Sequence, residues 1–249
     1  MGTMSNLKDF ALDKLFPRKC PLCGSLLKPN ERICGKCSDN VVYIQPPVCR
    51  RCGRQIFDCT CRGESFSFSR CVSPFVYTKA VRNGIHRLKF RSVPESADYF
   101  GLFMTSAIRR EYSDIRFDLV LSVPMHSADI HRRGYNQAEL LAKSVSKRIN
   151  VPTGSHILVK RVQNNTQHTL SRAERRSNVK GVFEVTRPHL VAGKRILLCD
   201  DIITTGSTLD ACAAELLKAG ASEVCCVTAA AVVGSQEQGL KKAYVLGTR

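Results

Sequence analysis

The chain is poor in acidic residues and has no long apolar run. Only 21 Asp and Glu stand against 38 Lys and Arg in 249 residues, giving a formal net charge of +17. No stretch approaches the roughly 18–20 consecutive apolar residues needed to cross a bilayer, which argues against membrane insertion. Residues 1–16 place Leu7, Phe10, Ala11, Leu15 and Phe16 at helical spacing, but Lys8, Asp9, Asp13 and Lys14 interrupt them. Charges so interleaved cannot form the apolar run of a signal peptide. The segment reads as a short amphipathic helix over residues 1–19 docked on the body, with Met4 an alternative start, and the chain is expected to be cytoplasmic. Internal repeats and low-complexity segments are also absent. The remaining composition, 43% hydrophobic, suits one good core plus a small appendage.

The basic excess is spread widely: +6 over residues 1–70 and +11 over residues 71–249. It is densest over residues 156–195, where nine Lys or Arg face two Glu. Nucleic acid would use a basic surface this broad; a charge that only aids solubility is the competing reading.

Cysteine is abundant, at 13 residues. Eight form close pairs, and in a reducing cytoplasm such pairs read first as metal ligands rather than disulfides. Cys20-x2-Cys23-x10-Cys34-x2-Cys37 has the spacing of a tetrathiolate zinc site, with Gly24 and Gly35 relieving the tight turns. Cys49-x2-Cys52-x6-Cys59-x-Cys61 is less regular, its last pair being one residue shorter than a knuckle. One or two structural zinc ions are expected, and spacing leaves open which pairs share an ion. Cys71 is not expected to be a ligand. Cys199, Cys212, Cys225 and Cys226 sit in apolar surroundings and read as small core residues. Residues 20–62 have too few aliphatic residues to build a core unaided, so metal is expected to supply much of their folding energy.

From residue 63 to 249 the texture alternates. Strands are predicted at 69–77, 117–123, 156–160, 195–199 and 223–233, and helices at 80–90, 97–110, 136–149 and 207–219. Strands alternating with helices imply an α/β fold with a mostly parallel sheet covered on both faces. The polar stretch 161–180 lacks such a pattern. With Gln163-Asn164-Asn165-Thr166-Gln167 at its centre and Arg172, Arg175 and Arg176 behind, it reads as a mobile lid carrying cationic donors.

Residues 196–208 carry the most specific chemistry. Ile196–Cys199 form a strand apolar on both faces, and Asp200 and Asp201 follow where open α/β sheets bind ligands. Carboxylates only accept hydrogen bonds, so an adjacent pair suits the two vicinal hydroxyls of a ribose. Thr204, Thr205, Gly206, Ser207 and Thr208 then lead into a helix. Free N–H groups at its N-terminus, hydroxyls and the conformational freedom of Gly206 make a phosphate nest. The acids would repel a phosphate, so the two features must hold different parts of one ligand, a phosphorylated ribose. No Gly-x-x-x-x-Gly-Lys precedes the helix, which excludes a Walker A loop.

This segment resembles the motif of type I phosphoribosyltransferases that binds phosphoribosyl pyrophosphate (PRPP). Asp118–Ala142, with Ser-Val-Pro and Arg-Arg-Gly-Tyr-Asn-Gln-Ala, and Thr166–Phe183 further resemble the ComF family of competence-associated, phosphoribosyltransferase-like proteins. That family also has a cysteine-rich N-terminal segment, so the resemblance covers nearly the whole chain. It implies a type I phosphoribosyltransferase fold over residues 63–249 behind a zinc-ribbon module over 20–62. It also implies that Pro124 and the turn ending in Arg132-Arg133-Gly134 face pyrophosphate. Gln167, Arg172 and Arg175 or Arg176 would belong to a loop closing over PRPP, and Lys89 would add a phosphate contact. A role in DNA uptake is implied, with single-stranded DNA and competence-machinery proteins as partners.

PRPP chemistry displaces pyrophosphate from C1 through a cation-like transition state. Arg132, Arg133, Arg172 and Arg175 are the candidates for stabilising that leaving group, with Mg²⁺ riding on the ligand's own phosphates and hydroxyls. His126, His131 and His168 could act as acid–base groups but read more simply as structural or exposed. The chain opens Met-Gly-Thr, without the N-terminal cysteine of a glutamine amidotransferase. Two readings follow: a PRPP-binding protein of DNA uptake, or an active phosphoribosyltransferase of nucleotide metabolism with an unknown acceptor. Nucleobase salvage would need a stacking aromatic by the ribose, which the sequence does not identify.

Overall fold

The computed structural model describes residues 18–59, 61, 65–90, 94–162 and 181–234, without the side chains of 94 and 95. The expected docking helix and the lid with Gln167, His168, Arg172, Arg175 and Arg176 lie outside the described residues.

Most residues of the two central strands are apolar and nearly all are buried or half-buried, as suits the middle of a parallel sheet. Strands β1 (Arg70–Val72), β7 (Glu223–Ala231), β6 (Arg195–Ile203) and β3 (Leu119–Ser122) lie in that order, and β2 (Phe75–Val76) also pairs with β7. All these pairings are parallel, with Leu197 opposite Cys225 and Leu121 opposite Leu198. Parallel neighbours need crossover connections, and helices supply them. Alternate residues of β6 then face two separate cores. Leu197 and Cys199 pack with α2 (Lys79–Phe90), α3 (Pro94–Glu111) and α5 (Gln137–Ile149) through Ile85, Phe100 and Leu141. Ile196 and Leu198 pack with α6 (Ser207–Lys218) and the antiparallel pair β4 (Leu158–Lys160) and β5 (Phe183–Val185). The α/β fold is as the alternation implies.

Three elements differ from the sequence reading. The single strand expected over 69–77 is two short strands on either side of Ser73-Pro74, because proline has no N–H to donate to the ladder. The strand expected to end at Cys199 runs on to Ile203, paired with Ala231, so Asp200 and Asp201 lie within its last turn of pleat rather than beyond it. The presumed turn after Pro124 contains helix α4 (Ser127–Arg133), closed by Gly134 at φ 87°, where glycine avoids the left-handed penalty.

The cysteine-rich segment docks on the first core. Cys20, Leu22, Cys37 and Val41 are buried there with Phe75, Ile85 and Phe100, and the Ser96 hydroxyl donates to the Pro21 carbonyl at 2.9 Å. Cys199, Cys212 and Cys226 are 0% exposed core residues, as is Cys71. Among the described residues no helix is long and apolar enough to cross a membrane.

Candidate functional site

The C-terminal ends of β6 and β7 and the N-terminus of α6 converge on one loop, Thr204–Gly206. Gly206 occupies the cap position of α6 at φ 85°. A β-carbon there would be strained by its backbone and would lie 3.1 Å from the ring of Phe66, so only glycine serves. Gly206 brings no capping side chain, which leaves first-turn N–H groups to an anion. The Thr205 and Ser207 hydroxyls are 2.8 Å apart and add further donors. Asp210, in the first turn of α6, accepts from the Ser67 N–H at 2.6 Å and holds the helix to the preceding chain.

The carboxylate pair is built into a polar chain. Asp201, 6% exposed, pairs with the Lys89 ammonium at 2.6 Å and accepts from the Gln137 side-chain amide at 3.3 Å. Arg133 donates to Gln137 Oε1 at 2.5 Å, and its guanidinium lies 5.1 Å from the centre of the Phe90 ring. Asp200 accepts from the Asp201 N–H at 2.8 Å. Burial of its carboxyl, followed by the adjacent charge of Asp201, holds Asp200 well above the ordinary carboxylate range, although the residue keeps some surface. Hydroxyl donors or a cation from a ligand would favour its charged form.

The residues singled out from the sequence are thus sorted. Asp200, Asp201, Thr204, Thr205, Gly206, Ser207 and Thr208 share the β6–α6 junction. Lys89 joins them by pairing with Asp201. Pro124 follows Val123, whose carbonyl accepts from the Asn136 side chain at 2.9 Å. Arg133 reaches the polar chain, whereas Arg132, with its side chain 78% exposed, pairs with Asp129. His126 caps α4, accepting from the Ala128 N–H at 3.2 Å, and His131 is exposed. Gln137, Phe66 and Arg54 were not singled out. Gln137 was visible only as part of the Tyr-Asn-Gln-Ala run, and no local signal marks the other two. A polar recess of about 670 Å³ lined by Arg116, Asp118, Arg195 and Glu223 opens at the opposite ends of the strands. Asp118 accepts from the Arg195 N–H at 2.8 Å, Glu223 lies 3.9 Å from the Arg195 guanidinium, and the recess lies away from this chemistry.

The eight paired cysteines form two tetrads. In each, Cys20/Cys23/Cys34/Cys37 and Cys49/Cys52/Cys59/Cys61, all Sγ atoms lie within 4.8 Å of one another. A tetrahedral zinc tetrathiolate with Zn–S of about 2.3 Å requires sulfurs about 3.8 Å apart. Cys49 and Cys61 are 3.8 Å apart, Cys52 and Cys59 3.7 Å, and Cys23 and Cys34 3.5 Å, with Cys59 and Cys61 closer at 3.1 Å. The donor sets therefore fit structural zinc, and the ligand pairing left open by spacing falls into consecutive fours. Gly24 and Gly53, each following the second cysteine of its knuckle, have φ of 83° and 69°. Gly35 does not share this role: it starts the short helix α1 (Gly35–Ser38).

Comparison with known proteins agrees with both halves. A phosphoribosyl transferase domain matches residues 135–248, and a double zinc ribbon domain matches residues 11–72. Fold and cysteine tetrads thus define a phosphoribosyltransferase-type domain joined to a double zinc ribbon. Competence protein ComFC of Bacillus subtilis is 30% identical over 239 residues, 87% of this chain and 95% of its own. Competence protein F of Haemophilus influenzae is 30% identical over 220 residues, 84% and 95% of the two chains. DNA utilization protein YhgH of Escherichia coli K12 is 28% identical over 208 residues, 82% and 86%. The chain belongs to the ComF family.

Proposed function

We propose that this protein binds PRPP with Mg²⁺ at the β6–α6 junction and serves the handling of incoming DNA. The observation that carries the ligand is the junction itself: an adjacent carboxylate pair, Asp201 buried and Asp200 half-buried, one short loop away from a glycine-capped helix N-terminus. Asp200 and Asp201 would accept the ribose hydroxyls, and Thr204–Thr208 would hold the 5′-phosphate with backbone N–H groups and hydroxyls. Mg²⁺ would screen the pyrophosphate charge while carried largely by the ligand. Lys89 and Arg133 stand beside the carboxylates as cations able to face the pyrophosphate, and Gln167, Arg172 and Arg175 would close over it. The double variant Asp200→Ala/Asp201→Ala is expected to lose PRPP binding in calorimetric titration while keeping its circular dichroism spectrum. Affinity equal to the wild type would refute the site. Pyrophosphate release in the presence of candidate acceptors distinguishes transfer, the favoured reading, from binding alone.

The DNA role is supported by the names of the relatives, two competence proteins and a DNA utilization protein, and by the +17 charge. Single-stranded DNA and competence-machinery proteins are the proposed partners. Affinity for a single-stranded oligonucleotide should fall steeply with salt, because each neutralised phosphate releases counterions. A flat salt dependence, or no binding, would favour the second reading, a phosphoribosyltransferase of nucleotide metabolism.

A further inference from the structure

The second zinc ribbon and the phosphate loop are joined by a single buried side chain. Arg54 follows Cys52-Gly53 in the knuckle of the second tetrad, and its carbonyl accepts from the Cys49 N–H at 2.7 Å. The side chain leaves the ribbon and is enclosed, 2% exposed. Its Nε donates to the Val232 carbonyl at 2.6 Å, and one terminal nitrogen donates to the Thr204 carbonyl at 2.5 Å and the Ile203 carbonyl at 3.4 Å. These carbonyls belong to the last residue of β6, to the residue that follows β7 and to the first residue of the phosphate loop. Gly53 packs its backbone against Val72, where a β-carbon would meet the Cys71 carbonyl at 3.0 Å, and the Cys71 N–H donates to the Arg50 carbonyl at 2.9 Å. The knuckle is thereby seated on the sheet, and its arginine spans the strand ends at the ligand face.

The same knuckle occurs in the first ribbon without this reach. Cys20 N–H donates to the Ser25 carbonyl at 2.7 Å, and Gly24 N–H to the Cys20 carbonyl at 2.8 Å. Cys49 N–H donates to Arg54 and Gly53 N–H to Cys49 in the same pattern, at 2.7 and 2.8 Å. Ser25 stands where Arg54 stands, and its hydroxyl lies 3.3 Å from the Cys23 thiol of its own cluster. The local fold of the knuckle therefore does not demand an arginine. The strand ends do: the carbonyls of Val232 and Thr204 have no other donor among the described residues, while that of Ile203 also accepts from the Val232 N–H at 3.0 Å. A planar guanidinium can serve several carbonyls at once where an ammonium cannot match the fork.

We propose that Arg54 is a positioning residue for the phosphate loop, and that metal in the second tetrad, by fixing the knuckle, sets how tightly the loop holds a phosphorylated ribose. The inference rests on the PRPP reading of the junction. It is tested on the full chain with zinc bound, by PRPP–Mg²⁺ calorimetry together with hydrogen exchange of the amides of residues 203–208. Arg54→Lys keeps the charge and removes the fork; Cys59→Ser removes a ligand of the second tetrad, and Cys23→Ser a ligand of the first. Arg54→Lys and Cys59→Ser are each expected to weaken PRPP binding about tenfold or more and to speed loop exchange by a similar factor, with the double variant little worse than either. Cys23→Ser should release one zinc and leave both readouts near wild type.

Unchanged affinity and exchange in a folded Arg54→Lys protein would overturn the inference. So would equal loosening of the loop by Cys23→Ser and Cys59→Ser, which would make the ribbons a common scaffold only. Should Arg54→Lys not fold, that comparison between the two cysteine variants decides the matter. If the wild type itself fails to bind PRPP, the PRPP reading falls, while the exchange pattern still reports whether Arg54 holds the loop.

Discussion

The two zinc ribbons are alike in ligands and backbone hydrogen bonding and differ in what they touch. The first is sunk into the protein: Cys20 and Leu22 are 0% exposed and share a core with Ile85 and Phe100. The second leaves Ile56 58% and Phe57 68% exposed between its cysteines, as the first leaves Leu26 64% exposed, and it sends Arg54 to the carbonyl of Thr204. Similar knuckles thus join a buried core in one place and reach the β6–α6 loop in another. A knuckle is only a rigid corner; its neighbours in space decide its use.

Breaking the first ribbon should have the larger effect on stability. Cys20→Ser removes a buried ligand from the first tetrad, and loss of a structural metal is among the few single changes that cost more than about 4 kcal/mol. Zinc content should fall by one of two ions, with a marked drop in thermal midpoint measured by calorimetry. Full zinc retention would show that Cys20 is not a ligand.

A smaller effect should come from the surface on which that ribbon rests. Gly84 lies in α2 beneath Leu22, and a β-carbon there would fall 2.5 Å from Leu22 Cδ2 and 3.0 Å from the Phe100 ring. Gly84→Ala gains about 1 kcal/mol of helix propensity but overpacks a filled core at about 1–3 kcal/mol. Since the Leu22 backbone is also close, at 3.3 Å, overpacking should win, for a net loss of about 1–2 kcal/mol by denaturant titration. A stabilised variant would mean that the first ribbon sits more loosely than its burial implies. PRPP affinity of the folded protein should be unchanged, in contrast with the variants of the second ribbon.

The features legible in sequence were those written in local spacing. The Cys-x2-Cys knuckles depend on a turn of a few residues, and the parallel sheet on alternation of apolar strands and amphipathic helices. The carboxylates and Thr204–Ser207 are neighbours along the chain, so their convergence needed only a strand followed by a helix. Local reading failed where short-range rules competed. Pro74 split a strand whose side-chain pattern was continuous, and α4 was hidden because Ser127–Arg133 buries none of its residues and so lacks an apolar face.

The site's supporting contacts were not legible at all. Arg54 appeared as one more charge in a basic chain, yet its partners lie 149 to 178 residues away. Lys89, read from the resemblance as a phosphate contact, pairs with Asp201 across 112 positions of the chain, and Gln137 meets the same carboxylate across 64 residues. Sequence by itself determined the paired cysteine ligands, the layered α/β fold and the phosphoribosyl signature, because each is fixed by hydrogen bonds and side-chain periodicity within one or two elements. Only the tertiary structure decided which cations reach the carboxylates and which ribbon braces the loop. Those contacts exist because folding brings distant strand ends and one knuckle into the same buried space.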